Sequence, residues 1–188
     1  MNKALVKEDQ PAKDLWIQRD PMADIPAGAK NYMTPQGARA MREEYDRLVH
    51  RERPRLLGQI TSESQSDGSR ISHVEATEAR KDLRRVESRI EFLNGRLAIT
   101  EVIDPASQAG DMVRFGATVT VESGSGIESA CTIVGIDEAD IHRGRISWTS
   151  PLARSLLDHE PGDRITIRTP KGVERVEITG VVYRDLSG

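Results

Sequence analysis

Between Ala76 and Leu97 the chain carries Ala76, Ala79, Leu83, Val86, Ile90, Leu93 and Leu97, apolar residues whose spacings alternate between three and four without a miss. Three heptads of this regularity describe a helix with one narrow apolar seam, which a single partner running alongside can cover. Upstream, Thr34-Pro35 supplies a helix start, with Thr as the cap and Pro in the first turn, where its missing N–H is no loss. Met41, Tyr45 and Leu48 then form a second seam, and apolar positions resume after Pro54 at Leu56, Leu57 and Ile60. Pro54 removes one intrahelical hydrogen bond and crowds the preceding turn, so it either kinks this helix or starts a separate one. Residues 62–72, SESQSDGSRIS, are rich in Ser with one Gly, which is turn chemistry. The expected product is an antiparallel coiled-coil hairpin over residues 34–104 with its tip at 64–74. Arms of about 25 residues would reach about 38 Å. A compact helical bundle would need further helices to cover these two, and the rest of the chain offers none.

After Asp104-Pro105 the period changes from helical to alternating. Phe115, Ala117, Val119 and Val121 alternate with Gly116, Thr118 and Thr120, SGSG makes a turn, and ACTIVGI forms a second strand. Arg145, Ile146, Ser147 and Trp148 read as a third. Ser150-Pro151 opens a short helix, PLARSLLD, whose Leu152, Leu156 and Leu157 would face a sheet. DRITIRT and VERVEITGVVY, separated by Pro170-Lys171-Gly172, complete the pattern. Residues 105–188 are thus expected to form a curved antiparallel sheet of five short strands with one helix packed across it, which makes the chain α+β. Residues 1–33 show no sustained period and read as a disordered or loosely docked arm. Within it, Trp16 and Ile17 are either a docking patch or an isolated apolar pair in a tail.

Two small domains also suit the composition, because two Trp, three Tyr and two Phe are too few aromatics to fill one large core, and 30% of residues are charged. Cys131 is the only cysteine, which excludes an internal disulfide or a cysteine-rich zinc site and fits a reducing cytoplasm. The four histidines, His50, His73, His142 and His159, are scattered along the chain, which disfavours a metal held by the protein itself. No run approaches the roughly 18 apolar residues of a membrane span, and MNKALVKEDQ lacks the apolar core of a signal peptide. The expectation is a cytoplasmic monomer without membrane contact.

Four segments carry a resemblance: YMTPQGARAM at the first helix, RERPRLL at Pro54, FGATVTVE in the first strand, and ISWTSPLARSLL followed by PGD and TPKG. Their order and spacing over residues 32–184 resemble the GreA/GreB transcription elongation factors, nearer the GreB-like branch. The resemblance implies an FKBP-like C-terminal domain that grips the secondary-channel rim of bacterial RNA polymerase, while the hairpin enters the channel. Nucleic acid would be met only through the elongation complex. It assigns docking to Ser150, Pro151 and Leu152, with Thr149 standing where GreB-like sequences tend to carry an acid; helix capping alone would select the same Ser-Pro. The five arginines among residues 42–55 are either a solvated face balanced by Glu and Asp or an electrostatic guide into an acidic channel.

The family's cleavage chemistry implies acids at the tip, in the pattern Gly-Asp-x-x-Glu-Asn-Ala-Glu-Tyr, which help hold a second Mg²⁺ in the polymerase active site. Mg²⁺ takes hard oxygen ligands, and two metals activate the attacking water and stabilise the leaving oxygen. Here the stretch is Ser66-Asp67-Gly68-Ser69-Arg70-Ile71-Ser72-His73-Val74-Glu75. Aligned back from the heptads, Ser69 and Ser72 stand where the acids should be; aligned forward from Pro54, the turn falls one residue earlier, and neither register restores the pair. Asp67 is the one tip acid, and Arg70 opposes a cation nearby. The expectation is a non-enzymatic polymerase regulator with weak or absent stimulation of transcript cleavage and no cofactor beyond the polymerase's own Mg²⁺. The alternative is a cleavage-active factor using Asp67, helped by Glu63 or Glu75. His73 beside Ser69 and Ser72 lacks an orienting acid and a pocket, which argues against a nucleophilic site. A peptidyl-prolyl isomerase, suggested by the FKBP-like fold alone, would need an aromatic pocket that Trp148, Phe115 and Tyr183 barely supply.

Overall fold

The computed structural model describes residue 25 and residues 28–63, 70–169 and 172–186. They belong to two compact units, one of Gln36–Glu101 and one that joins Met1–Pro35 to Val102–Gly188.

The first unit is a helical hairpin. Helix α1 (Pro35–Arg47) runs through a π-helical turn (Leu48–Glu52) into α2 (Arg53–Glu63), and α3 (Arg70–Ala98) returns along them. The seam lies where the heptads put it. Ala76, Ala79 and Leu93 are buried on α3, facing buried Met41, Leu48 and Leu56, while Leu83, Val86, Ile90 and Leu97 are half-buried. Leu57 departs from the pattern at 43% exposure. A heptad step from Leu48 would bury position 55, which holds Arg55, whereas the buried residue is Leu56. The π turn absorbs that extra residue: the N–H of Arg53 donates to the carbonyl of Leu48, five residues back. Pro54 follows directly, and the wider turn eases the crowding its ring imposes on the preceding turn. The disturbance expected at Pro54 thus takes the form of a π turn in a continuing helix. Across the seam, Arg89 forks onto Glu44 with Nε–Oε1 and Nη2–Oε2 both at 2.9 Å.

Two three-residue strands, β1 (Asn31–Met33) and β2 (Thr100–Val102), flank the hairpin in sequence. The second unit is a mixed β half-barrel of β3 (Ala117–Ser123), β4 (Glu128–Val134), β5 (Arg145–Ser147), β6 (Arg164–Thr169) and β7 (Gly172–Tyr183), with α4 (Pro151–Leu156) packed across it. The strand order is β5-β4-β3-β7-β6. Pairs β3–β4, β3–β7 and β6–β7 are antiparallel as expected, but β5 runs parallel to β4. The reason is the connection: residues 135–144 wind through two 3₁₀ turns (Ile136–Glu138 and Ile141–Arg143), which carries the chain back to start β5 in the same direction. Alternation on β3 is strict, with Ala117, Val119 and Val121 at most 1% exposed. They meet Ile133 from β4, Leu152 and Leu156 from α4, Ile167 from the edge strand β6 and Ile178 from β7 in one core. Gly116 leads into β3 at φ +85, and a Cβ there would sit 2.7 Å from Cγ of Pro105, so both backbone angle and contact require glycine.

Residues 31–33, read from sequence as the end of a loose arm, and the capping residue Thr34 are built into this second unit. Asn31, Met33 and Thr34 are buried, and the carbonyl of Met33 accepts from the N–H of Ile103 at 2.9 Å. Trp16 and Ile17 lie outside the described residues.

Candidate functional site: the 148–154 corner and the hairpin tip

Burial and capping shape the corner between β5 and α4. Ser150 has an extended backbone and its Oγ accepts from the N–H of Ala153 at 3.1 Å, while Pro151 occupies the first helical turn. Thr149 and Ser147 share a hydroxyl hydrogen bond of 2.8 Å. Thr149, Ser150 and Leu152 are therefore buried, Leu152 within the core, and of the four residues assigned to docking only Pro151 is exposed, joined on the same helix by exposed Arg154. Thr149 presents no charge outward where an acid was expected.

The corner is braced from behind by residues that periodicity does not reveal. The ring of Tyr32 meets Trp148 edge-on at 5.3 Å and Phe115 at 6.1 Å. Just below, the carboxylate of Glu138 accepts from the N–H of Thr34 at 2.9 Å, from the Thr34 hydroxyl, and from the N–H of Gly135 at 3.1 Å. Asn31 donates to Asp137 at 3.2 Å. Gly135 permits the approach, since a Cβ there would lie 2.6 Å from both the Tyr32 carbonyl and Oε2 of Glu138. The only signal in the sequence is the Gly135-x-x-Glu138 spacing; the partner stands 104 residues away. Tyr32 packs on both Phe115 and Trp148, and the hydroxyl of Tyr183 donates to the carbonyl of Met112 at 2.6 Å.

Titratable groups follow their surroundings. Arg89, bonded to Glu44, holds that carboxyl below the usual range against the opposing effect of burial. Burial pushes the Cys131 thiol up to about 12, so it is an inert core residue. The N–H of Glu160 and then His159 lower Asp163 in an exposed turn. Among the described residues, no group of three or more His, Cys, Asp or Glu is placed to hold a metal, and no helix is long and apolar enough to cross a membrane.

At the tip, Ser66, Asp67, Gly68 and Ser69 lie outside the described residues. Arg70 is the first residue of α3 and Ser72 the third, so Glu75 is already in its second turn. With a rise of about 1.5 Å per residue, Glu75 stands about 7.5 Å along the helix from Arg70.

Comparison with known proteins covers both units. The family model described as "Transcription elongation factor, N-terminal" matches residues 31–102, and that described as "Transcription elongation factor, GreA/GreB, C-term" matches residues 107–183. Transcription elongation factor GreB of Neisseria meningitidis serogroup A is 41% identical over 155 residues, which covers 82% of this chain and 94% of that protein. Transcription elongation factor GreA of Alkalilimnicola ehrlichii is 42% identical over 153 residues, covering 80% and 96%. Among solved structures, GreA factor homolog 1 of Thermus thermophilus covers 81% of this chain and 99% of its own at 22% identity, with a TM-score of 0.38.

Proposed function

This chain belongs to the GreA/GreB family of transcription elongation factors, and from that membership we propose that it binds bacterial RNA polymerase and inserts its hairpin into the secondary channel to regulate elongation, with little or no stimulation of transcript cleavage. The observation that carries the second half is the tip sequence. The paired acids are replaced, Arg70 opens α3, and the next acid, Glu75, is held in that helix. A neutral Ser is a poor ligand for Mg²⁺, and a guanidinium nearby repels the ion. Gre factors act on the polymerase and are not enzymes themselves, so the chain would need no cofactor of its own.

For docking, Pro151 and Arg154 form the outward face, and Thr149, Ser150 and Leu152 shape it from within. The test is binding of the full chain to core RNA polymerase. Pro151→Ala combined with Arg154→Glu should weaken binding about tenfold or more while leaving the thermal melt unchanged. Binding equal to that of the wild type would remove the α4 corner from the docking surface. Leu152→Ala is uninformative for docking, because emptying a core site costs about 2–5 kcal/mol of stability.

A further inference from the structure

The two arms of the hairpin are unequally built. The second, α3, runs for 29 residues without a break. The first is divided at the π turn Leu48–Glu52, where the N–H of Arg53 reaches back to the carbonyl of Leu48. Pro54 follows and offers no N–H to the turn before it, so the ladder of helical hydrogen bonds is interrupted where α1 meets α2. Beyond that junction α2 is written in poor helix formers. Gly58 has open space where a Cβ would stand, so no neighbour requires a glycine there, and glycine is the weakest helix former after proline. The hydroxyls of Thr61 and Ser62 donate back to the carbonyls of Leu57 and Gly58 at 2.9 and 3.0 Å, a pattern that weakens and bends a helix.

The seam offsets little of this weakness. Among the described side chains of α2, Leu56 alone is buried and Ile60 is half-buried, and the buried seam residues on the N-terminal half of α3 are the small Ala76 and Ala79. In the base of the hairpin Met41, Leu48 and Leu93 are buried and Arg89 forks onto Glu44. The ion pair between Arg53 and Glu87, at 3.6 Å, also joins the arms ahead of Leu56. A helix of 11 residues such as α2 is marginal in water by itself, and stretches with few buried apolar contacts open at lower free energy than the rest of a fold. We propose that α2 is a release element: it leaves α3 as a unit, pivoting at the π turn, while α1 and the part of α3 beside it stay packed. The device places the hairpin's conformational freedom in the arm that leads into the tip.

The test is native-state hydrogen exchange of the full chain, read amide by amide by NMR. Residues 57–62 should share one level of protection, about tenfold or more below that of residues 41–48 and 87–93. Arg89→Gln removes the fork in the base, which stays formed when α2 alone opens. It should therefore speed exchange at 41–48 and 87–93 about threefold or more and leave 57–62 as in the wild type. Gly58→Ala, which strengthens α2 itself, should slow exchange at 57–62 about fivefold. Circular dichroism verifies that each variant is folded. The proposal is overturned by protection at 57–62 equal to that of the base, or by protection that falls steadily from Leu57 to Ser62, as fraying from the helix end would give. It is equally overturned if Arg89→Gln speeds exchange at 57–62 as much as in the base, because the hairpin would then open as one piece.

Discussion

Glu138 shows how much one side chain can organise. Its carboxylate takes three donors, two of them from Thr34, and so fastens residues 31–34 beneath the 148–154 corner. Glu138→Gln keeps the shape but removes the charge that strengthens these bonds, and it should cost about 1–3 kcal/mol in urea unfolding. Glu44 gives a pH-dependent counterpart. Its folded carboxyl lies below the ordinary glutamate range because Arg89 binds the charged form, so the stabilisation is present above that range and is lost as pH falls through the folded value. Arg89→Gln should therefore move the acid-unfolding midpoint of the helices, followed by far-UV circular dichroism, to higher pH. Cys131, with its thiol pushed up to about 12 and its side chain 2% exposed, should resist alkylation in the native protein and react at once in denaturant.

At the level of elements, the parts that repeat were legible and the parts made by single contacts were not. The heptads of α3 and the alternation of β3 each state a period many times over, and burial follows them residue by residue. The π turn left a subtler trace, the step of eight from Leu48 to Leu56 where seven was due. If the turn exists to absorb that extra residue, deleting exposed His50 should leave thermal stability within about 1 kcal/mol, because a regular α-helix then bridges the two seam positions. Inserting an alanine after His50 should lower the melting temperature clearly. The parallel course of β5 and the burial of residues 31–33 escaped sequence reading for one reason: each belongs to a three-residue strand, too short for any period to register. The Ser150-Pro151 pair was found but stays two-sided, since the cap on Ala153 accounts for Ser150 without any partner molecule.

For the molecule as a whole, both units match the GreA/GreB family, so the reading turns on what the hairpin delivers. The helical hairpin keeps its seam and the 148–154 corner is braced by residues 31–34, while residues 66–75 carry serines and an arginine where the family resemblance implies paired acids. Restoring acids in the heptad-based register, Ser69→Asp with Ser72→Glu, should therefore raise cleavage stimulation well above that of the unmodified chain. The most direct measurement is RNA length in backtracked complexes of bacterial RNA polymerase, with and without the full chain, under conditions where its binding is verified. The account predicts transcripts no shorter than those the polymerase produces alone. Rapid shortening that depends on the protein and disappears in Asp67→Ala would contradict it.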